Sequence, residues 1–357
     1  MKRIIRVIFL TINIVAAGCL LLAYLCCWVN PEKVWWLGLL GLGYLYLLII
    51  NLFFTGFWLF TAKKKYAVLS LLIVVLGWGI TSRNVRFFGK NMSPALTEKS
   101  ITLLSFNVHM FHQANGTGEN GEKLNIHNFF RESQADILCL QEFANVDKMP
   151  EHISSGTKMP HCHVEMSVGQ LGIATFSRYP IVGRKLLYSD NSVNACMYTD
   201  LLVAGDTIRV FNVHLKSIGF GYKQRDLLEN AIRKEYKESD VKTVKSIIKE
   251  IVAASIRRSK QVKIVEGHIA ESPYPIIICG DFNDPPVSYS YQKIRAHRKD
   301  AFMEAGHGFS FTYNLGRIFH QRIDFILHSP EFEAYDYKSP RVILSDHFPI
   351  TCKLVKK

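Results

Sequence analysis

Residues 278–286 read ICGDFNDPP. The apolar run Ile276-Ile277-Ile278-Cys279 passes through Gly280 into Asp281, Phe282, Asn283 and Asp284, and two prolines close it. Gly, Asp, Asn and Pro are also what a tight turn uses, so this stretch alone leaves two alternatives, a turn or the rim of an active site. The same ending recurs along the chain. SITLLSFNV (100–108) delivers Asn107, and ADILCLQEF (135–143) delivers Glu142. TIRVFNVHL (207–215) delivers Asn212 and His214, RIDFILHSP (322–330) carries Asp324, and RVILSDHFPITCKL (341–354) delivers Asp346 and His347. Ligands of α/β proteins bind where strand ends meet, so strands lying side by side would bring these tips together. Asp324 is the hardest to read as incidental, because a carboxylate inside an apolar strand needs a partner.

These segments read as strands, as do GIATFSRYPI (172–181) and ACMYTDLLVAG (195–205), and Gly205-Asp206 reads as a hairpin turn. A helix is expected around His127–Ser133. Residues 221–268 show helical spacing, as in Val244, Ile247, Ile248, Ile251, Val252 and Ile256, with no proline before Pro273. Strands interspersed with helices and hairpins predict a mixed α/β sandwich rather than a doubly wound parallel sheet.

Asn107, Gln141-Glu142, Asn212-x-His214-Leu215, Gly280-Asp281-Phe282-Asn283, Asp324 and Ser345-Asp346-His347 resemble, in order, the motif series of the endonuclease/exonuclease/phosphatase superfamily. The resemblance covers roughly residues 100–354 and looks most like a bacterial branch near deoxyribonucleases and sphingomyelinase-type phosphodiesterases. It implies a four-layer α/β sandwich, two mixed β-sheets flanked by helices, and phosphoester hydrolysis. Inositol 5-phosphatases of the superfamily usually follow the GDxN core with Tyr-Arg-Ile. Here Asp284-Pro285-Pro286 stands instead, which puts that specificity in doubt.

Phosphodiester hydrolysis needs an activated water, a stabiliser of charge on phosphorus and help for the leaving oxygen. Hard carboxylate and amide oxygens suit Mg²⁺ or Mn²⁺ rather than zinc. The expected metal set is Glu142, supported by Asn107, with Asp346 as a further ligand. The resemblance implies an Asp–His dyad, which maps to Asp324 and His347. Whether His347 acts as general base or holds the phosphate stays open. Asp281 would align the attacking water, with Asn283 and His214 on phosphate oxygens. The expected activity is nuclease-like. The alternatives are a phospholipid phosphodiesterase of sphingomyelinase type, a phosphatase, or a catalytically silent binding protein, against which the intact motif set argues. No protein partner is expected.

The 357 residues are unevenly charged. Residues 1–90 hold ten bases and one acid, Glu32, so they carry +9 of the net +13 and leave +4 to the rest. A basic nucleic-acid-binding face is therefore only weakly indicated. Val7–Val29, Val34–Ala62 and Tyr66–Ser82 are uncharged apolar runs of 23, 29 and 17 residues, and about 20 suffice to cross a bilayer. Three transmembrane helices (about 7–29, 34–62 and 66–82) are expected within a membrane anchor, 1–82. A linker, 83–98, and a catalytic domain, 99–357, follow. The Ala16-Ala17-Gly18-Cys19 lipoprotein-like box sits inside a continuing apolar run, which argues against cleavage there. Lys2, Arg3, Arg6 and Lys63–Lys65 place the N-terminus in the cytoplasm. Three spans would make this an integral protein of a bacterial inner membrane with an extracytoplasmic catalytic domain. Two would leave that domain inside, so the topology rests on the third run.

The eight cysteines form no CxxC pair and no zinc spacing, and no disulfide framework is expected. His161-Cys162-His163 reads as surface loop. His109 and His112 read as loop residues, with cleft lining the alternative. Arg178 and Arg322 each read as either a structural residue or a phosphate contact.

Overall fold

The computed structural model describes residues 3–219, 240–315 and 319–357. They form two compact units. One comprises Asn84–Ser217, Lys260–Asn283 and Lys293–Lys357; the other comprises Met1–Arg83, Ile218–Ser259 and Asp284–Gln292.

The first unit contains two six-stranded mixed sheets. In one the strand order is Phe332–Lys338, Ile350–Lys356, Ser100–Asn107, Ile137–Ala144, Leu171–Ser177 and His161–Val168. In the other it is Lys299–Asp300, Asp324–His328, Ile276–Asp281, Asp206–His214, Ala195–Val203 and Ile181–Ser189. Each sheet has one parallel pair, Ser100–Asn107 with Ile137–Ala144 and Asp206–His214 with Ile276–Asp281. Those two pairs end together in Asn107, Gln141, His214 and Asp281.

Period-two alternation explains the layers. Ile101, Leu103, Ile137 and Cys139 of one sheet share a core with Ile208, Val210, Ile277, Cys279 and Ile326 of the other. Leu104, Phe106, Leu138 and Leu140 face the opposite way and pack with Ile126, Phe130 and Ile153 from the helices Ile126–Glu132 and Met149–Thr157. Outside the second sheet, the end of the helix Asp240–Ala270 buries Val262, Val265 and Ile269 and brings His268 against Tyr198. The α/β sandwich with helices flanking two mixed sheets is the expected one.

Some segments differ from expectation. The helical spacing read from residue 221 is realised from Asp240; residues 220–239 lie outside the described residues. The strand expected from residue 341 begins at Ile350, which pairs with Ser105. Pro349 has no N–H to give a ladder, and residues 341–349 run irregularly into it. His161-Cys162-His163 is the start of a strand, not a loop. His163 is buried, its ring nitrogens 2.8 Å from Thr199 Oγ1 and 2.9 Å from Glu165 Oε1.

In the second unit, Arg3–Leu25 is the one helix, among the described residues, long and apolar enough to cross a membrane. The second expected span is instead two helices, Leu37–Leu42 and Tyr44–Leu59, broken at Gly43. The third divides at Gly77 into Ala67–Leu76 and Trp78–Thr81. Glycine is a weak helix residue, and both breaks fall on one. A buried polar network ties the helices. Trp58 Nε1 donates to Asn13 Oδ1 (2.9 Å), and Asn13 Nδ2 donates to Ser70 Oγ. Ser70 Oγ donates to Asn51 Oδ1 (3.0 Å), and Asn51 Nδ2 donates to the Ala16 carbonyl (3.1 Å). Away from water each such group must find a partner, so the network fixes which helix faces meet.

Candidate active site

His214, Asp281 and Asp324 lie side by side, because register pairs His214 with Asp281 and Asp281 with Asp324. Gly280, before Asp281, has φ +132°, and a Cβ there would lie 2.0 Å from the Val213 carbonyl oxygen. Only glycine lets the strand deliver Asp281 this close to its neighbour. In the first sheet, alternation alone would turn Glu142 away from Asn107 and Gln141. A register shift between Leu140 and Phe143, with Glu142 at φ +49°, re-aims it.

Asn107 Nδ2 lies 3.1 Å from Asp281 Oδ2 and 3.4 Å from Glu142 Oε1. Asn283 donates its backbone N–H to Asp281 Oδ1 (2.8 Å), and its side-chain Nδ2 donates to Asp281 Oδ2 (3.1 Å) and the Leu215 carbonyl (3.0 Å). Both amide hydrogens of Asn283 are thus engaged. His347 Nδ1 is 2.9 Å from Asp324 Oδ2, and its Nε2 is 3.7 Å from Asp281 Oδ2. The Asp324 backbone N–H donates to Thr312 Oγ1 (3.0 Å), and the Tyr313 ring centroid lies 4.8 Å from that of His347.

His214 Nε2 faces both carboxylates, 3.7 Å from Asp281 and 3.8 Å from Glu142. Its Nδ1 is 3.1 Å from the Val193 carbonyl, so the proton of the neutral ring belongs on Nδ1. Nε2 then accepts from Asn194 Nδ2 at 3.1 Å. Asp346 Oδ1 accepts from Ser345 Oγ (3.3 Å) and lies 3.6 Å from His109 Nδ1.

Burial pushes the Asp281 carboxyl up to about 6, against the pull of His347. Burial alone would lower His347, but the carboxylates of Asp324 and Asp281 outweigh it and raise the imidazolium to about 10. Asp281, Asp324 and His347 also form a group whose ligand-type atoms lie within 4.8 Å of one another. Four carboxylates, those of Glu142, Asp281, Asp324 and Asp346, crowd around this site, and a hard cation fits such an oxygen-rich set.

The two arginine candidates resolve into structural roles. Arg322 is fully buried and paired with Asp300 at 2.6 Å. Arg178 pairs with Asp136 at 3.2 Å near the surface. His109, in a turn with positive φ, comes to the site beside Asp346. Sequence reasoning missed Asn194, Thr312 and Tyr313. Their contacts to the site, with His214, Asp324 and His347, join residues 12 or more positions apart along the chain.

A two-sheet sandwich thus gathers buried carboxylates, amides and imidazoles at its strand ends. The Endonuclease/Exonuclease/phosphatase family model matches residues 104–347, and the chain belongs to that family. Its members are phosphoesterases that depend on divalent metal ions. A second model, a domain of unknown function, matches residues 6–84. No curated protein matches the chain in sequence. Among solved structures the chain is similar to an endonuclease/exonuclease/phosphatase from Beutenbergia cavernae DSM 12333, at 17% identity over 72% of each chain with a TM-score of 0.49. It is also similar to a humanized D. rerio TDP2 (16%, 72% of this chain and 99% of that one, TM-score 0.48). A third is a beta toxin from Staphylococcus aureus (14%, 72% and 100%, TM-score 0.44).

Proposed function

We propose that the chain is a membrane-tethered phosphodiester hydrolase with a nuclease-like activity. The observation that carries this is the buried line Asp324–His347–Asp281, with His347 Nδ1 fixed on Asp324 and Nε2 turned to Asp281. Asp324 orients the ring and keeps it charged, so His347 donates a proton to a phosphate oxygen rather than accepting one from water. Asp281, held by Asn283 and Asn107, accepts from the attacking water. Asn283 acts by fixing Asp281. His214, whose Nε2 faces Asp281 and Glu142, is the further residue on a phosphate oxygen.

Glu142 is the direct metal ligand, with Asn107 and Asp346 in support. The Asp281–Asp324–His347 group is the lesser metal candidate, because its imidazole Nδ1 is already bonded to Asp324. A bound Mg²⁺ or Mn²⁺ would lower the pKa of a coordinated water and offset charge on phosphorus.

The helical unit supports membrane embedding of three apolar segments in one bundle, 7–29, 34–62 and 66–82. Its outward side chains are apolar, among them Ile8, Val15, Leu22, Ile49, Phe53, Leu72 and Val75. Arg3, Arg6 and Lys63–Lys65 lie at one end of its antiparallel helices. The exposed Trp28, Trp35, Trp36 and Trp78 lie at the other, an arrangement that suits a cytoplasmic N-terminus, a Trp belt and an extracytoplasmic catalytic domain, 99–357. This apolar surface favours, as a second reading, a lipid phosphodiester substrate.

The test uses the full chain in detergent with bis(p-nitrophenyl) phosphate and Mg²⁺ or Mn²⁺, then plasmid DNA, RNA and sphingomyelin vesicles. Cleavage that stops with EDTA is expected. Cleavage unaffected by EDTA would remove the metal assignment, and lipid without nucleic-acid cleavage would select the second reading.

A further inference from the structure

The turn that follows Asn107 and Val108 is strained. His109, Met110 and Phe111 have φ +44°, +55° and +60°, three successive non-glycine residues in the left-handed region. Side chains avoid that region because Cβ crowds the following carbonyl, and such strain gathers at functional sites where the surroundings hold it. Here backbone bonds hold it. Val108 donates its N–H to the Gln141 carbonyl (3.0 Å), Phe111 to that of Val108 (2.9 Å) and His112 to that of His109 (3.0 Å). The His109 N–H donates to Asn107 Oδ1 (3.1 Å), and the Phe111 ring packs on Phe143 with 5.7 Å between centroids. None of these contacts uses the His109 ring.

The turn places that ring beside Asp346. His109 Nδ1 is buried and has no hydrogen-bond partner among the described residues. It lies 3.6 Å from Asp346 Oδ1, too far for a hydrogen bond, the two side chains being 26% and 24% exposed. His112 packs edge-on against the ring, centroids 5.2 Å apart and planes at 87°. A buried polar atom without a partner calls for a water or an ion, and this one faces a carboxylate across a gap. An ion bonded to both atoms at about 2.1 Å would bridge a gap of this length. The surroundings are those of the metal site. Asp346 is one of its assigned residues, and the backbone of His109 is bonded to Asn107, whose Nδ2 lies 3.4 Å from Glu142 Oε1.

We propose that His109 is a nitrogen ligand of the metal ion, shared with Asp346, and that it gives the site a preference for a first-row transition-metal ion over Mg²⁺. The inference rests on the metal-dependent reading above and adds to it a residue and a selectivity. Glu142, Asn107 and Asp346 offer oxygen, a donor set that suits Mg²⁺. Imidazole suits transition metals, whereas Mg²⁺ keeps oxygen ligands and several waters. The strained turn then serves to bring the ring to Asp346.

The experiment uses the full-length chain in detergent, stripped with EDTA and titrated with Mn²⁺ alone. Free Mn²⁺ is read from its paramagnetic resonance signal, Mg²⁺ binding by competition, and a coordinated imidazole by its nitrogen coupling in the pulsed spectrum. Wild type is compared with His109→Asn, because asparagine tolerates positive φ. Folding is followed by gel filtration and thermal transition. Wild type should show the nitrogen coupling. In His109→Asn the coupling should vanish and Mn²⁺ binding weaken by about 10–100-fold, with Mg²⁺ binding changed by less than about twofold. A folded His109→Asn that keeps the nitrogen coupling or the wild-type Mn²⁺ affinity overturns the inference. If His109→Asn does not fold, His109→Gln carries the same outcomes. A wild type that binds Mn²⁺ without nitrogen coupling sinks this inference alone, whereas a wild type that binds no Mn²⁺ sinks the metal-dependent reading and this inference with it.

Discussion

Gln141 Nε2 donates to Asn212 Oδ1 at 2.7 Å, joining the first sheet to the second one residue from Glu142 and two from His214. Asn212 in turn gives its Nδ2 to the carbonyls of Leu140 (3.2 Å) and Ala174 (2.9 Å). This polar tie sets the distance between the two strand pairs that carry the site. Asn212→Ala removes the bond from Gln141, which keeps its bond to Ser105 Oγ (3.2 Å), and two bonds to carbonyls, each bond worth about 0.5–1.5 kcal/mol. We expect the thermal transition to fall by several degrees, read by circular dichroism. An unchanged transition would show that the tie is dispensable.

Asp324→Asn keeps the shape of the pair with His347 but removes the charge that holds the imidazolium. The expected loss in kcat is about 10²–10⁴-fold with thermal stability near wild type. Steady-state kinetics beside a melting curve separate this from misfolding. A rate within threefold of wild type would show that the dyad does not orient the ring.

Glu304 gives a stability prediction with a sign. Burial alone would raise its carboxyl, but His328 at 3.0 Å, the Ala334 N–H and Lys299 outweigh burial and hold it at about 2. The folded value lies below the ordinary 4.5, so this stabilisation is complete above about pH 4.5 and is lost as pH falls towards 2. Glu304→Gln should therefore melt lower than wild type at pH 6, and the gap should close on acidification. A gap independent of pH would contradict the pairing.

How much of this was legible follows from where each signal lies. The strands were readable because Ile101, Leu103, Ile208 and Val210 alternate with residues facing elsewhere, and the acidic tips were readable because they interrupt apolar runs. Glu142's direction was not, because it depends on a bulge that no residue type announces. Asn194 and Thr312 were invisible for another reason. They act through His214 and Asp324, contacts that exist only after the sheets assemble. The breaks at Gly43 and Gly77 fell inside runs whose hydropathy is continuous, so composition alone lengthened those helices.

Glu142→Gln removes the charge assigned to the metal while leaving its shape. The expected outcome is a half-saturating Mn²⁺ concentration raised by about 10–100-fold, measured by titrating metal into EDTA-stripped full-length chain. An unshifted titration would move the metal to the Asp281–Asp324–His347 group.

In the proposed reaction Asp281 and His347 carry the chemistry on a phosphodiester. The most direct measurement is the turnover of bis(p-nitrophenyl) phosphate by folded, full-length His347→Ala and Asp281→Asn beside wild type with Mn²⁺. Losses of about 10²–10⁴-fold in kcat are expected for each. Near-wild-type turnover in either variant would contradict the proposed reaction.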